Sequence, residues 1–390
     1  MRVVISDITG RTLNYDYALC EAISGYLSES DIVEFWGPNR EHSEKLAVRS
    51  FGSIVPNRYK TSTNTIVRLL KAFDTVLAYM KILIWVIKEK PDVFHLQWFP
   101  FLSLGTRGAS IDMFFMRMMK KCSPQTKTVF TIHNMCPHGM SENDRAGYNP
   151  IFTKALTLFD HYVVHTEKTK EEVMSSFKVR GEKVSLIYHG VFKPKGVIFE
   201  RKTWDENNVH LIMYGSQNWY KGTDVFVEAL SLLPNDIKKR IKVSICGSTD
   251  HDISSKCNAI NAGCNIEWMS YYIEDELLYQ KISEADIIFL PYRRISQSGV
   301  LLLAIATKRL IVTSNLPTFK ETLKGYNDEM FFESENPQSL ASLINKYVDG
   351  VIDRDRVLST LESLEKLYSW DESAKNTISL YNSMVGLEDQ

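Results

Sequence analysis

A chain of 390 residues with 44% hydrophobic residues, 24% charged residues and a formal net charge of −1 is globular and too long for one ordinary core; at roughly 100–200 residues per domain it divides in two. The near-neutral balance gives no overall pull toward nucleic acid or anionic lipid, so any basic surface is local and no nucleic-acid partner is expected. Six cysteines, Cys20, Cys122, Cys136, Cys246, Cys257 and Cys264, lie far apart without CxxC spacing, which argues against a disulfide framework or a zinc site and for a reducing cytosol.

The chain opens on a strand pattern, Arg2-Val-Val-Ile-Ser, without the apolar run of a signal peptide, which sets the expectation of a cytoplasmic protein. Strand-like runs at Val3–Ser6, Ile32–Trp36, Val93–Leu96, Thr128–Ile132, Tyr162–His165 and Val184–Tyr188 alternate with helical patterns such as Tyr15–Leu27 and Ile111–Lys121. That alternation predicts a parallel sheet wrapped by helices. A Pro-, Gly- and charge-bearing stretch at 193–208 interrupts it. A second alternation follows with His210–Tyr214, Ile241–Cys246, Ile266–Trp268, Ile287–Leu290 and Leu310–Thr313. The expected organisation is therefore α/β, two doubly wound domains (1–192 and 209–369) joined by a linker, with a helix at 370–390 packing back across the boundary. Ligands of such sheets bind at the carboxyl ends of the strands.

Thr63–Lys90 is a strongly apolar helix candidate, broken by Lys81 and short of the ~20 uninterrupted apolar residues a membrane span needs. Arg68, Lys71, Lys81, Lys88 and Lys90 outnumber Asp74 and Glu89 in it. Burial against the first sheet is one reading; the other is a helix lying on a membrane surface with Tyr79 and Trp85 at the interface, joined by Phe114–Lys121.

Two later stretches carry phosphate-binding chemistry. His210–Phe226 reads as a strand, then Gly215-Ser216, then a loop with Lys221-Gly222 opening into a helix, which supplies a cation and a backbone free of Cβ at a strand end. Ala285–Leu316 reads as a buried strand ending at Pro291, a loop with Arg293 and Arg294, and a helix start at Ser296-Gln297-Ser298-Gly299-Val300. A helix start of this kind favours an anion, and the pair forms a bipartite diphosphate cradle. The alternative is two ordinary βα units with solvated arginines.

These blocks, together with DVFHLQWFPF (92–101), TVFTIHNMCPHG (128–139), DHYVVHTEKTKEEV (160–173), VSLIYHGVF (184–192) and VSICG (243–247), carry a resemblance over essentially the whole chain. The chain resembles the nucleotide-sugar-dependent group 1 (retaining-type) glycosyltransferases of GT-B fold, in a subgroup lacking their paired glutamates. The resemblance implies an acceptor-binding N-terminal domain and a donor-binding C-terminal domain. It sets Lys221 and the Ser296–Val300 helix start on the diphosphate, and the Tyr272–Ile273 loop near the base. Two departures stand out: the places of the paired glutamates are Ser296 and Leu303, and Ser216-Gln217 replaces an arginine common after Gly215, a deficit that Arg293 or Arg294 offsets.

The implied reaction is displacement at the anomeric carbon of a nucleotide sugar, without metal or other cofactor because cations and helix N–H groups neutralise the leaving diphosphate. Its acceptor is a glycan or lipid-linked glycan, in surface-polysaccharide synthesis at the inner face of the membrane. The stereochemical course stays open. His133, ending its strand, is the first candidate for a catalytic residue and by resemblance contacts the transferred sugar; otherwise it is a structural histidine bonding a loop. Asp7, ending the first strand, is either a base or the cap of the turn around Gly10. Asn14, His138 and Glu142 are candidates on the acceptor side; His165 and His189 rank below them. Two alternatives remain: a sugar-nucleotide epimerase of the same architecture, which consumes donor without acceptor, and a non-catalytic sugar-nucleotide-binding subunit. The absence of GxGxxG after the first strand argues against a dehydrogenase.

Overall fold

The computed structural model describes all residues except 29, 39–45, 52–63, 137–141, 193–196, 296–297, 327 and 388–390. The chain divides into two units, Met1–Gly190 with Trp370–Gln390, and Val191–Ser369.

The first unit is built on a seven-stranded parallel sheet in the order β3-β2-β1-β4-β5-β6-β7. Its strands are β1 Arg2–Ser6, β2 Ile32–Trp36, β3 Ala47–Arg49, β4 Val93–Leu96, β5 Lys127–Thr131, β6 His161–Val164 and β7 Val184–Leu186. The order reverses beside β1, where Val3 pairs with Val33 on one side and with Val93 on the other. Its core joins Val4, Phe94, Leu96 and Phe130 of the sheet to Met116 and Met119 of one helix and Phe152 and Phe159 beyond it. Three helices matter below: α1 Leu13–Ser24, α2 Thr65–Glu89 and α3 Ala109–Cys122. The C-terminal helix Trp370–Val385 returns to this unit and packs on α1.

The second unit has a six-stranded parallel sheet in the order β10-β9-β8-β11-β12-β13. Its strands are β8 Val209–Tyr214, β9 Ile241–Cys246, β10 Ile266–Met269, β11 Ile287–Leu290, β12 Leu310–Ser314 and β13 Phe331–Phe332. Central strands β8, β11 and β12 are buried at every residue, which is why they read as unbroken apolar runs: helices cover both faces. Segment 197–208, read as linker, is tied to this unit. Phe199 is buried, and Lys202 Nζ donates to the Glu284 carbonyl at 2.7 Å and to Asp286 at 2.8 Å.

Most interior strands lie where the apolar runs set them, to within a residue or two at each end. Both short outer strands, β3 and β13, escaped the reading. They span three and two residues, too few for a periodicity to show, and they exist because Glu34, Phe35 and Trp36 or Thr313 and Ser314 offer backbone partners.

Candidate active site

In the second unit β8 ends at Gly215, whose φ of +95° lies where side chains are disfavoured. A Cβ there would stand 3.4 Å from Lys221 Nζ and 3.5 Å from Val300 Cγ2, so this strand end, the lysine and the Ser298 helix start meet in one place. Tyr214 Oη ties the two loops together by donating to the Val300 carbonyl at 3.0 Å. Gly222 is needed on two counts: its φ is +71°, and a Cβ would lie 1.9 Å from the Pro291 carbonyl oxygen.

Lys221 is almost fully buried. Its ammonium donates to Tyr292 Oη and sits 4.3 Å from the centre of the Tyr292 ring, without a carboxylate in its hydrogen-bond shell among the described residues. Burial pushes its pKa down to about 8. Ser298 caps the helix Gly299–Ile305 by accepting from Leu301 N at 3.1 Å, and the first N–H groups of a helix have no acceptor within it. A Cβ on Gly299 would meet nothing within 4 Å among the described residues.

Arg293 has a different role from the one expected. Its guanidinium clamps Asp224 at 2.8 and 2.9 Å, reaches Glu335 at 3.2 Å and donates to the Trp219 carbonyl at 2.6 Å. Its charge is therefore already balanced, and it fastens the Trp219–Lys221 turn to the loop after β11. Arg294 is exposed and stacks 5.2 Å over the Trp219 ring. Ser216 bonds Ser248 at 3.1 Å. Gln217 is fully buried and braces the loop through Gly215 O, Thr223 Oγ1 and Ser248 O, a support that the sequence reading registered only as a missing arginine. After β10, Tyr272 is 73% exposed whereas Ile273 is 6% exposed, so only the tyrosine offers a side chain to a ligand. Ser296, Gln297 and His138 lie outside the described residues, as does the side chain of Glu142.

In the first unit, residues just beyond β4, β5, β6 and β7 converge on Tyr15 of α1. Ring centres of His133, His165 and His189 lie 4.9, 5.1 and 4.9 Å from that of Tyr15, and Trp98 stacks on His133 at 5.8 Å. Trp370 closes over Gly190, where a Cβ would lie 2.3 Å from the indole. His133 Nε2 donates to Gln97 Oε1 at 3.0 Å, since a carbonyl only accepts. His165 Nδ1 donates to the Ile187 carbonyl at 2.7 Å, which leaves its Nε2 a bare lone pair. Burial holds His165 down at about 4 and His189 at about 3, and His133 well below the usual imidazole range. All three are neutral at physiological pH. Four buried polar atoms in this cluster, Tyr15 Oη, Gln97 Nε2, Trp98 Nε1 and His165 Nε2, have no hydrogen-bond partner among the described residues. Each such group costs about 1–3 kcal/mol unless something polar meets it. Of these only His165 was singled out from the sequence, because nothing local marks a residue of α1 and the residues after β4 and β6 as neighbours.

Asp7 corrects the base assignment. Its Oδ1 accepts from Thr9 N, Thr9 Oγ1 and Gly10 N at 3.1, 3.0 and 2.9 Å, and its Oδ2 from Thr12 N and Thr12 Oγ1 at 2.9 and 3.3 Å. A carboxylate with five donors is the cap of the β1–α1 turn. Asp7→Ala should therefore lower stability by about 2–4 kcal/mol in denaturant melts; an unchanged melt with lost activity would restore the base assignment. Asn14 is exposed on the first turn of α1, beside Tyr15.

Asp-x-Asp spacing, a metal-binding pattern that the metal-free expectation takes to be absent, occurs twice. Asp353 caps the helix Arg354–Leu367, and Asp355 pairs with Arg201 at 2.5 Å. Asp250 is the N-cap of His251–Asn258, and its N–H donates to the Gln217 carbonyl at 2.9 Å. Neither pair belongs to a cluster of three or more His, Cys, Asp or Glu among the described residues.

Known proteins match both units. The Glycosyltransferase Family 4 model matches residues 31–192 and the glycosyl transferases group 1 model residues 208–349. A GDP-mannose:glycolipid 4-beta-D-mannosyltransferase of Xanthomonas campestris is 24% identical over 231 residues, 57% of this chain and 60% of that protein. The chain spans about three-fifths of the length of the curated relatives it matches. Among solved structures, the lipopolysaccharide outer core galactosyltransferase WaaB superposes with a TM-score of 0.63 at 14% identity, covering 98% of this chain and 99% of that one. Sucrose-phosphate synthase of Thermosynechococcus elongatus does so with a TM-score of 0.67 at 14% identity, covering 99% of each. Two parallel-sheet units in this strand order, each matched by a family model, establish that the chain is a GT-B protein belonging to the group 1 glycosyltransferases.

Proposed function

We propose that the protein transfers a sugar from a nucleotide-diphosphate donor to a glycan or lipid-linked glycan, in surface-polysaccharide synthesis at the inner face of the cell membrane. The observation that carries this reading is the buried Lys221 ammonium beside Gly215 and the Ser298–Gly299 helix start, a cation without a carboxylate partner among the described residues, at the mouth of a parallel sheet. The similarity to a mannosyltransferase whose acceptor is a glycolipid supports a lipid-linked acceptor.

An acceptor hydroxyl oxygen forms a bond to the anomeric carbon while the bond from that carbon to the diphosphate breaks. The electron pair leaves on the phosphate oxygen, and the hydroxyl proton passes to the leaving phosphate or to solvent. Lys221, Arg294 and the helix N–H groups stabilise the departing charge. The neutral imidazoles of His133 and His165, with Gln97, Trp98 and Tyr15, hold sugar hydroxyls in the first unit, since their unmet donors and lone pair match a polyol.

A thermal-shift screen of nucleotide sugars is the test of this reading, because a ligand stabilises the fold it binds; the absence of any stabilisation by nucleoside diphosphates or their sugars would count against it. Transfer should also persist in chelator, the cations doing the work of a metal. Complete loss in chelator, restored by magnesium or manganese, would overturn that point and turn attention to Asp250 and Asp252 beside the Gln217 loop.

A further inference from the structure

Helix α2 presents an apolar face to solvent. Of its 25 residues only Ala78, Tyr79, Ile82 and Val86 are buried. The two residues expected at a membrane interface are turned inward: Tyr79 stacks on Phe115 at 4.6 Å and donates to Asp112 at 2.8 Å, and Trp85 packs on Trp36 at 5.3 Å. On another side Ile66, Leu69, Leu70, Phe73, Met80, Ile84 and Ile87 are exposed by 69, 66, 38, 52, 44, 62 and 40%. Their spacing of three, four and seven residues puts them along one stripe of the helix, about 30 Å long at 1.5 Å per residue. Phe114 of the adjoining α3 is 55% exposed and Leu104, just before it, 72%. In the rest of the Met-rich stretch Phe114–Lys121, Phe115, Met116 and Met119 are buried in the core. Monomers rarely leave an apolar strip of this extent uncovered.

The charges around the strip are mostly positive. Arg68, Lys81 and Lys88 on α2, Arg107 before α3, and Arg117 and Lys121 on it are exposed. Of the three carboxylates on these two helices, Asp112 is buried, Asp74 is half-buried and Glu89 is paired with Arg2 at 2.8 Å and Lys88 at 3.5 Å. In a chain of net charge −1 this is a local concentration of positive charge. No helix among the described residues is long and apolar enough to cross a membrane. A long amphipathic helix with such a rim instead lies in the plane of a bilayer, its aliphatic side chains at the acyl boundary and its cations on lipid phosphates.

We infer that the exposed face of α2, with Phe114 and Arg117 of α3, docks the first unit on an anionic lipid bilayer. A second copy of the chain is the less fitting occupant, because a two-fold interface would set the same basic rim against itself. Docking stands on α2 alone; its use, to bring the unit to a lipid-borne acceptor, rests on the proposed function. Attachment through apolar side chains and a handful of cations is reversible and salt-sensitive.

Full-length protein is sedimented with vesicles of phosphatidylglycerol and phosphatidylcholine, and with phosphatidylcholine alone, at low and high salt. Binding to the anionic vesicles at low salt is expected, weaker by about tenfold or more at high salt. The doubly substituted Phe73→Glu, Ile84→Glu protein, changed only at exposed positions, should melt like wild type, bind nucleoside diphosphate as wild type does and lose vesicle affinity by about tenfold or more. The nucleotide arm separates a failure of docking from a failure of the transferase reading. Protein left in the supernatant with anionic vesicles at low salt overturns the inference. So does a dimer in sedimentation velocity that these substitutions split without any vesicle binding, which assigns the strip to a second copy.

Discussion

Acidification from about pH 7 to about pH 4 should unfold the first unit, with a midpoint of about pH 5. The native pKa values of His95, His165 and His189 are pushed down to about 3, 4 and 3, chiefly by burial, and His133 is held well below the usual range. His95 sits between Tyr381 Oη at 2.6 Å and Thr131 Oγ1 at 2.7 Å, tying the C-terminal helix to the sheet. His161, lowered to about 4, acts in the same direction. An unfolded imidazole titrates at about 6.5. Below that pH the unfolded chain binds protons that the native state refuses, so the stability is fully present above about pH 6.5 and is lost as pH falls toward the native values. At about 1.4 kcal/mol per pH unit, His95 and His189 each forfeit about 3 kcal/mol by pH 4.

Two effects reduce the sum. Part of several depressions is repulsion between imidazoliums, which does not count twice. Asp112, raised to about 6 by burial, and Asp16, raised well above its usual range by burial and by Asp7, take up protons first in the native state and so gain stability on acidification. The net loss is still on the order of several kcal/mol, a large share of what a domain has. Near-UV dichroism and tryptophan fluorescence against pH measure it. A native near-UV spectrum persisting below about pH 3.5 would mean that the imidazoles ionise in place.

Lys221→Ala should weaken nucleoside-diphosphate binding by on the order of 1.5–3 kcal/mol, roughly 10- to 150-fold, the size of a charge-assisted hydrogen bond. The pH dependence is the sharper readout. With the free-site pKa pushed down to about 8 and a bound diphosphate favouring the ammonium, affinity should hold below about pH 8 and fall by up to tenfold per pH unit above it. Lys221→Met, which keeps an unbranched apolar stem against Tyr292, should lose the affinity and the pH slope together while melting close to wild type. Isothermal titration calorimetry from pH 7 to 9.5 measures both. Wild-type affinity in either folded variant would remove Lys221 from the diphosphate, and an unchanged slope would assign the titration to another group.

The sequence by itself determined the parallel sheets, the place of the second alternation and the two strand–loop–helix starts. Burial on both faces demands unbroken apolar runs such as Ile287–Leu290, and a helix start demands local chemistry such as Ser298 and Gly299; both signals lie within a few consecutive residues. Only the tertiary structure decided which charges are free. Arg293 and Arg294 are neighbours in sequence, yet one is neutralised by Asp224, 69 residues away, and the other is exposed. It also decided that Asp7 is a cap, because its donors surround it only once the turn closes, and that imidazoles from separate strand ends meet around Tyr15. The apolar stripe of α2 reads the same whether it faces a core or solvent, since periodicity records that a helix has two faces and not what lies opposite each. Tyr79 took the inward side because Asp112 and Phe115 were there to receive it.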